Sequence, residues 1–127
     1  MTTFDRYIGM DYLEGDDDRG AYSTARIVIE AHHCNPTGNI NGGVIISLAD
    51  NISTGAAGRA YFEKTGEEKF MVGVDLHAVM LANQLGGTIR GYARPVRVGR
   101  RITVVRTEIR GDEDRLLAEV TTTHVPT

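Results

Sequence analysis

Asp50 is the residue of this chain whose surroundings point most directly to chemistry. It lies within the stretch 42–58, which opens with two glycines and is apolar around most of a helical circumference. A helix that is apolar on all sides is normally buried, and a buried carboxylate is costly unless it is paired or functional. No lysine or arginine lies within one helical turn of Asp50. The pattern predicts a buried Asp50 that acts as a catalytic carboxylate.

Two hydroxyl side chains share the helix face of Asp50. Ser47 precedes it by three residues and Thr54 follows it by four, and both spacings place side chains on one face. The pattern of Ser47, Asp50 and Thr54 on one face is equally compatible with a structural role, in which the hydroxyls donate to backbone carbonyls of their own helix.

Gly42 and Gly43 begin the predicted helix, and Asn35 lies in the loop before it. The first N–H groups of a helix have no internal partner and lie at its positive end, so they can bind an oxyanion that forms on a carbonyl. The Asn35 amide can donate to the same oxygen or hold a water. In the alternative interpretation the glycines only permit a tight helix entry, and Asn35 before Pro36 is a turn residue.

The spacing between Gly42 and Asp50 constrains any mechanism that uses both. Eight residues at the helical rise correspond to roughly 12 Å, whereas a base and an oxyanion donor both lie about 3 Å from the reacting group. One helix therefore cannot supply both, and the sequence predicts two equivalent sites shared across a symmetric dimer.

The remaining pattern predicts a single α+β domain over residues 1–127, with an irregular segment at 1–20. An alternating apolar pattern predicts a strand at 21–30, and proline and glycine mark a loop at 32–41. One long helix is predicted over 42–62, and its apolar surface requires a cover that an antiparallel sheet can supply. Short turns favour antiparallel pairing of the later strands, which are predicted at 70–81, 86–98, 101–110 and 115–125. Pro95 is expected at an edge, a bulge or a bend.

Composition limits the function classes. The 127 residues carry a formal net charge of −3, which argues against nucleic acid as a partner. We expect no membrane span and no signal peptide, and the single cysteine, Cys34, favours the cytoplasm. The acidic run 16–18 lacks the spacing of a calcium loop, and the adjacent residues of the His32–Cys34 run cannot easily face one ion. No metal and no cofactor are therefore predicted.

The stretch 35–43, followed by Leu48-Ala49-Asp50-Asn51-Ile52-Ser53-Thr54, resembles the signature of hotdog-fold acyl-CoA thioesterases of the phenylacetate-degradation type. The segments 74–76 and 86–89 match the same family. The resemblance implies an antiparallel sheet wrapped around a central helix, dimers with a continuous sheet, and often tetramers built from two dimers.

The resemblance also implies roles for individual residues. Asp50 matches the carboxylate that acts as general base or nucleophile, and Gly42 matches the N–H that polarises the thioester carbonyl. Asn35 matches the amide that assists at the carbonyl or the water, and Thr54 matches a hydroxyl near the carboxylate. Asn41 and Gly43 then belong to the substrate-binding loop.

Three positions depart from the family pattern. Gly73 stands where some relatives carry a serine that positions water, and Thr54 is a possible replacement for it. Asn41 replaces a histidine, and Asn41 cannot become cationic. Ala82-Asn83 replaces an Arg-Pro pair at the bend between two strands.

Arginines cluster around Gly99, where family members often meet the phosphates of coenzyme A. Arginine suits bidentate phosphate contact, although the same residues could be solvated strand positions. The predicted substrate-binding arginines are Arg94, Arg97, Arg100 and Arg101.

The leading functional prediction is hydrolysis of an aryl- or medium-chain acyl-CoA by a homo-oligomer. A non-catalytic acyl-CoA sensor is the alternative from another class. A hotdog dehydratase or hydratase, which pairs a histidine with a carboxylate, ranks lower because no histidine lies near Asp50 in the sequence. His77 and His124 are accordingly interpreted as structural.

Overall fold

A computed structural model describes residues 2–13 and 19–127, so the acidic run 16–18 lies outside the described residues. One long helix, α2 (Gly42–Thr65), packs on a six-stranded antiparallel sheet, as the α+β prediction requires. The strand order is β1-β2-β4-β5-β6-β3. The strands are β1 (Asp11–Tyr12), β2 (Ser23–Val28), β3 (Met71–Met80), β4 (Thr88–Val98), β5 (Thr103–Arg110) and β6 (Leu116–Pro126).

Residues at both ends of α2 define its limits. The Asn41 side chain caps the start by accepting from the Gly43 N–H, as short polar side chains do at this position. Gly66 ends the helix with a left-handed φ of 76°, which glycine adopts without a steric penalty. The helix therefore runs to Thr65, one turn beyond the predicted end, because residues 63–65 complete the turn that closes on Gly66.

The N-terminal segment is more regular than its sequence suggests. A one-turn helix, α1 (Phe4–Tyr7), precedes β1, and β1 pairs with β2 through Asp11 and Tyr12. The prediction of an irregular segment was therefore wrong for these residues, because β1 is too short to show an alternating pattern. Ile8 and Met10 join the core beside α1.

The other strands lie where the alternating pattern placed them, with ends that differ by at most two residues. The β4–β5 register shifts between Pro95 and Arg97, so Pro95 adjoins a bulge, as its missing N–H led us to expect. A second shift, between Gly73 and Asp75, makes Val74 the extra residue of β3. No helix in the described part of the chain is long and apolar enough to cross a membrane.

The helix lies close to the sheet because the contact surfaces carry small side chains. Ala49, Ala56 and Ala57 are fully buried on the sheet-facing side of α2. Opposite them, Gly91 of β4 leaves room for the helix side chains, since a Cβ atom there would lie 2.5 Å from Ile52 Cδ1. This packing directs one face of α2 into the core and leaves the opposite face outside.

Strand β3 forms one edge of the sheet and is largely exposed. Its exposed apolar side chains include Val74 at 58% and Met80 at 45% of their full accessible surface. A long apolar edge strand with unpaired backbone groups is a template for pairing with another chain.

We expect Gly91→Ala to lower the free energy of unfolding by about 1–3 kcal/mol, because the added methyl overpacks the helix–sheet contact. The measurement is chemical denaturation of the variant beside the wild-type protein. Gly58→Ala is the matched control, since a Cβ atom there meets only the Lys69 carbonyl at 4.0 Å and alanine favours a helix. A Gly91→Ala protein as stable as wild type would contradict this account of the packing.

Candidate active site

The first turn of α2 leaves one backbone donor free. The Asn41 Oδ1 accepts from the Gly43 N–H at 2.7 Å, and the Asn41 carbonyl accepts from the Val44 N–H at 2.9 Å. The Gly42 N–H has no acceptor among the described residues. Since this donor lies at the positive end of a 24-residue helix, it can bind an oxyanion. Gly43, predicted beside it, has its own N–H engaged by the cap.

Asn35 lies in the loop that leads into α2, and its side chain shapes that loop. Its Oδ1 accepts from the Thr37 N–H at 2.9 Å, and its carbonyl accepts from the Gly38 N–H at 2.9 Å. The turn interpretation is therefore confirmed. The amide nitrogen donates to none of the described residues and remains available to a ligand.

Asn83 holds this loop against the sheet, a role that the sequence did not reveal. Its Nδ2 donates to the Ile40 carbonyl at 2.9 Å, and its Oδ1 accepts from the Ile40 N–H at 3.2 Å. One side chain thus satisfies both backbone groups of a residue that is fully buried. Asn83, which belongs to the Ala82-Asn83 departure from the family pattern, therefore fixes the loop that carries Asn35 and Gly42. The sequence signal for this role is an asparagine in a bend. Asparagine is also common in turns where it does not hold a second segment.

Asp50 lies on the exposed face of α2, so the prediction of a buried, desolvated carboxylate is wrong for the single chain. The cause is the one-sided packing of the helix, which buries Ala49 and Ile52 but not Asp50. Thr54 lies one turn further along the same helix, and the role that the resemblance implies for it stays a prediction. Its hydroxyl donates to the Asp50 backbone carbonyl at 3.0 Å, and Ser47 bonds back to the Gly43 carbonyl at 2.7 Å.

His124 lies beside Asp50, a contact that the sequence did not reveal. Gly73 and His124 are cross-strand partners on β3 and β6. A Cβ atom at Gly73 would lie 3.8 Å from Asp50 Oδ1 and 3.7 Å from His124 Nδ1. The missing side chain therefore leaves a gap between the carboxylate and the imidazole.

A shallow cavity of about 240 Å³ opens at the same place, lined by Asp50, Gly73, Val74, Asp75, Leu76 and Thr122. His124 is fully buried behind it. Burial lowers the pKa of His124 below its usual 6.5, and the nearby Asp50 charge opposes that effect. The imidazole is accordingly neutral near pH 7.

The four predicted phosphate-binding arginines lie apart from the donors at the start of α2 and from the polar residues around Asp50. Arg94 and Arg97 are exposed on β4, and Arg101 is exposed in the β4–β5 turn. Arg100, in the same turn, lines a cavity with Tyr61, Lys64, Thr65 and Glu67 at the C-terminal end of α2. Within one chain, these guanidinium groups do not converge on Gly42.

The histidine pair does not form a metal site. Ligand atoms of Glu30, His32 and His33 lie within 4.8 Å of one another. Both ring nitrogens of His33 are already engaged, because Nδ1 accepts from the Glu30 N–H at 2.9 Å and Nε2 lies 2.7 Å from the Ile8 carbonyl oxygen. His33 is therefore a structural residue that ties the loop to the N-terminal segment.

Comparison with known proteins identifies a family. Residues 37–118 match the family described as the thioesterase superfamily. A Haemophilus influenzae relative named as an esterase is 33% identical over 92 residues, which cover 72% of this chain and 64% of that protein. The 1,4-dihydroxy-2-naphthoyl-CoA hydrolase of Escherichia coli is 29% identical over 110 residues, covering 87% of this chain and 71% of that enzyme.

Solved structures agree with these sequence matches. A thioesterase from Haemophilus influenzae superposes with a TM-score of 0.83 at 25% identity, covering 95% of this chain and 80% of the other. A conserved protein from Pseudomonas aeruginosa superposes with a TM-score of 0.79 at 26% identity, covering 100% and 95% of the two chains. The predicted hotdog fold is confirmed, whereas the phenylacetate-degradation branch stays a prediction.

We expect Asn83→Ala to lower the free energy of unfolding by about 1–3 kcal/mol, because it leaves two buried backbone groups of Ile40 without partners. Denaturant titration measures the change. Asn39→Ala is the control in the same loop, because its amide reaches only the Thr37 hydroxyl, at 3.0 Å. Equal losses of unfolding free energy in the two variants would contradict the role of Asn83 in holding the loop.

Proposed function

The chain belongs to the thioesterase superfamily, and from this premise we propose that it hydrolyses an acyl-CoA thioester to a free acid and coenzyme A. The observation that carries the proposal concerns two groups of α2 that have no hydrogen-bond partner among the described residues: the Gly42 N–H at its positive end and the Asp50 carboxylate. A thioester needs only a base, a water and an oxyanion donor. Both protein groups lie where a substrate can reach them.

The proposed reaction proceeds through a tetrahedral intermediate. A water oxygen attacks the thioester carbon while Asp50 takes a proton from that water. The Gly42 N–H and the Asn35 amide donate to the carbonyl oxygen as it becomes negative. The intermediate then collapses with cleavage of the C–S bond, and the departing thiolate takes the proton from Asp50.

A second copy of the chain completes the proposed site. Gly42 and Asp50 lie on one continuous helix, roughly 12 Å apart along its axis, so they cannot serve one carbonyl together. The exposed apolar edge of β3 supports pairing with a partner strand. Because Gly73 of β3 adjoins Asp50, a partner paired along this edge also covers the carboxylate. Such cover shields Asp50 from bulk water.

An aromatic acyl group is the proposed substrate class. The Escherichia coli relative is named for a naphthoyl-CoA ester, and the signature at 35–54 resembles the phenylacetate-degradation type. The exposed arginines of β4 and the β4–β5 turn make no ion pair with the described residues. They remain the proposed contacts for the phosphates of coenzyme A.

A hydratase is the second candidate, and one observation favours it. His124 and Asp50 flank one gap, and this fold can use a histidine and a carboxylate to add water to an unsaturated acyl chain. An enoyl-CoA included in the assay tests this candidate, because loss of its double bond without release of thiol would identify hydration.

Asp50→Asn is expected to reduce turnover by at least about 10²-fold, because the amide cannot accept the proton from water. The measurement is thiol release from short-, medium- and long-chain and aryl acyl-CoA esters. Asp75→Asn is the matched control, since Asp75 lines the same cavity. Wild-type turnover in Asp50→Asn would overturn the assignment, and binding without turnover in the wild-type protein would indicate a sensor.

Gly42→Pro is expected to lower kcat by about 10²–10³-fold, because it removes one oxyanion donor. Proline is suited to the first position of a helix, and Asn41, with ψ 129°, already has the conformation that proline requires before it. Gly42→Ala keeps the N–H, and its Cβ atom meets only Met80 Cε at 3.6 Å. Similar kcat values for the two variants would remove Gly42 from the mechanism.

The same variants test the shared site. When Asp50→Asn and Gly42→Pro chains are co-refolded in equal amounts, half of the dimers are mixed, and each mixed dimer has one intact site. Activity should then return to about a quarter of the wild-type value. Activity that stays at the average of the two parent variants would contradict a site shared between two chains.

A further inference from the structure

The hydrogen bonds around the His124 imidazole favour one of its two neutral tautomers. Its Nε2 lies 2.8 Å from the Thr122 Oγ1, and the Thr122 hydroxyl is directed at the Val105 carbonyl at 3.5 Å. Because that hydroxyl proton is directed to a carbonyl, the Thr122 oxygen accepts and His124 Nε2 carries the hydrogen. Nδ1 of the neutral ring then presents a lone pair.

This lone pair has no partner in the part of the chain that the structure describes. The residue is fully buried, and an unsatisfied buried polar group is costly. The other ring nitrogen is engaged by Thr122, whereas Nδ1 lies 3.7 Å from the Cβ position of Gly73. A protein that retains such a group usually satisfies it with water or uses it in function.

The gap lies between two acceptors and adjoins an open cavity. The Cβ position of Gly73 lies 3.7 Å from His124 Nδ1 and 3.8 Å from Asp50 Oδ1, and the space continues into the cavity beside Asp50. A water in this space can donate one hydrogen to each group. Its lone pairs then face the cavity, where a thioester carbonyl would lie.

We propose that His124 Nδ1 and the Asp50 carboxylate together hold the attacking water, in the gap that Gly73 leaves open. This inference rests on the proposed thioester hydrolysis. The O–H bond directed at Asp50 breaks as the water oxygen bonds to the carbonyl carbon, and the proton passes to the carboxylate. The O–H bond directed at His124 remains intact, so the imidazole orients the nucleophile without changing its own protonation.

Two substitutions of His124 separate this role from a structural one. Glutamine places an amide nitrogen near the position of Nε2, which keeps the donor to Thr122 and removes the acceptor at Nδ1. Asparagine places an oxygen near the position of Nδ1 and removes the bond to Thr122. We expect His124→Gln to lower kcat about 10–100-fold with KM unchanged, and His124→Asn to retain more of the wild-type kcat than His124→Gln. Wild-type kcat in a folded His124→Gln protein would overturn the proposal.

Gly73 provides a test that leaves the buried histidine intact. A Cβ atom at this position meets its neighbours at ordinary van der Waals distances, so Gly73→Ala and Gly73→Ser are both expected to fold, as circular dichroism and thermal unfolding can verify. The alanine methyl fills the gap with an apolar group, whereas the serine hydroxyl can bond to Nδ1 and Asp50. We expect kcat of Gly73→Ala to fall at least about tenfold below that of Gly73→Ser. Equal kcat values in these variants would overturn the proposal.

The Asp50→Asn variant distinguishes failure of this inference from failure of the proposed function. If the wild-type protein releases thiol, Asp50→Asn does not, and the Gly73 variants have equal kcat values, then only the role of His124 is wrong. If the wild-type protein releases no thiol from any ester, the proposed function fails, and the inference fails with it.

Discussion

The close packing of α2 on the sheet is the constraint on which the rest of the molecule depends. Buried alanines on the helix and Gly91 on β4 allow the two surfaces to approach closely. The contact fixes the rotation of α2 about its axis, because only the side of small and branched apolar residues fits the sheet. The opposite side, which carries Asp50, must then face outward from the chain.

A rigid helix also separates the two groups that chemistry requires. The free N–H lies at the first residue of α2 and the carboxylate lies more than two turns along it, and a helix cannot bend enough to bring them to one atom. Each chain therefore presents two half-sites of different character. The half-site at the N-terminus contains donors and is braced by Asn83, whereas the other contains acceptors and lies beside an unpaired edge strand.

In the proposed mechanism, His124 in the acceptor half-site compensates for a departure from the family pattern at Gly73. A serine at position 73 would supply a hydroxyl next to Asp50. Glycine at this position instead exposes the lone pair of a buried imidazole from the neighbouring strand. The bulge at Val74 lies at this point of β3, and bulges commonly re-aim side chains next to active sites.

The sequence by itself determined the class of fold, because periodicity reports local structure. The long apolar run between Asn41 and Gly66, and the alternation in β5 and β6, were sufficient to predict one helix and the strands that cover it. The same spacing along one helix predicted that Gly42 and Asp50 cannot meet within one chain, since helical rise is a property of the backbone alone.

Tertiary structure decided which groups lie beside Asp50 and how much water reaches it. His124 is 74 positions away along the chain, and only the pairing of β6 with β3 brings it next to Gly73. The exposure of Asp50 and the hydrogen bonds from Asn83 to Ile40 likewise depend on packing. No local sequence pattern encodes these features, because they depend on how segments that are far apart in the sequence pack together. Separation along the sequence does not reveal distance in space.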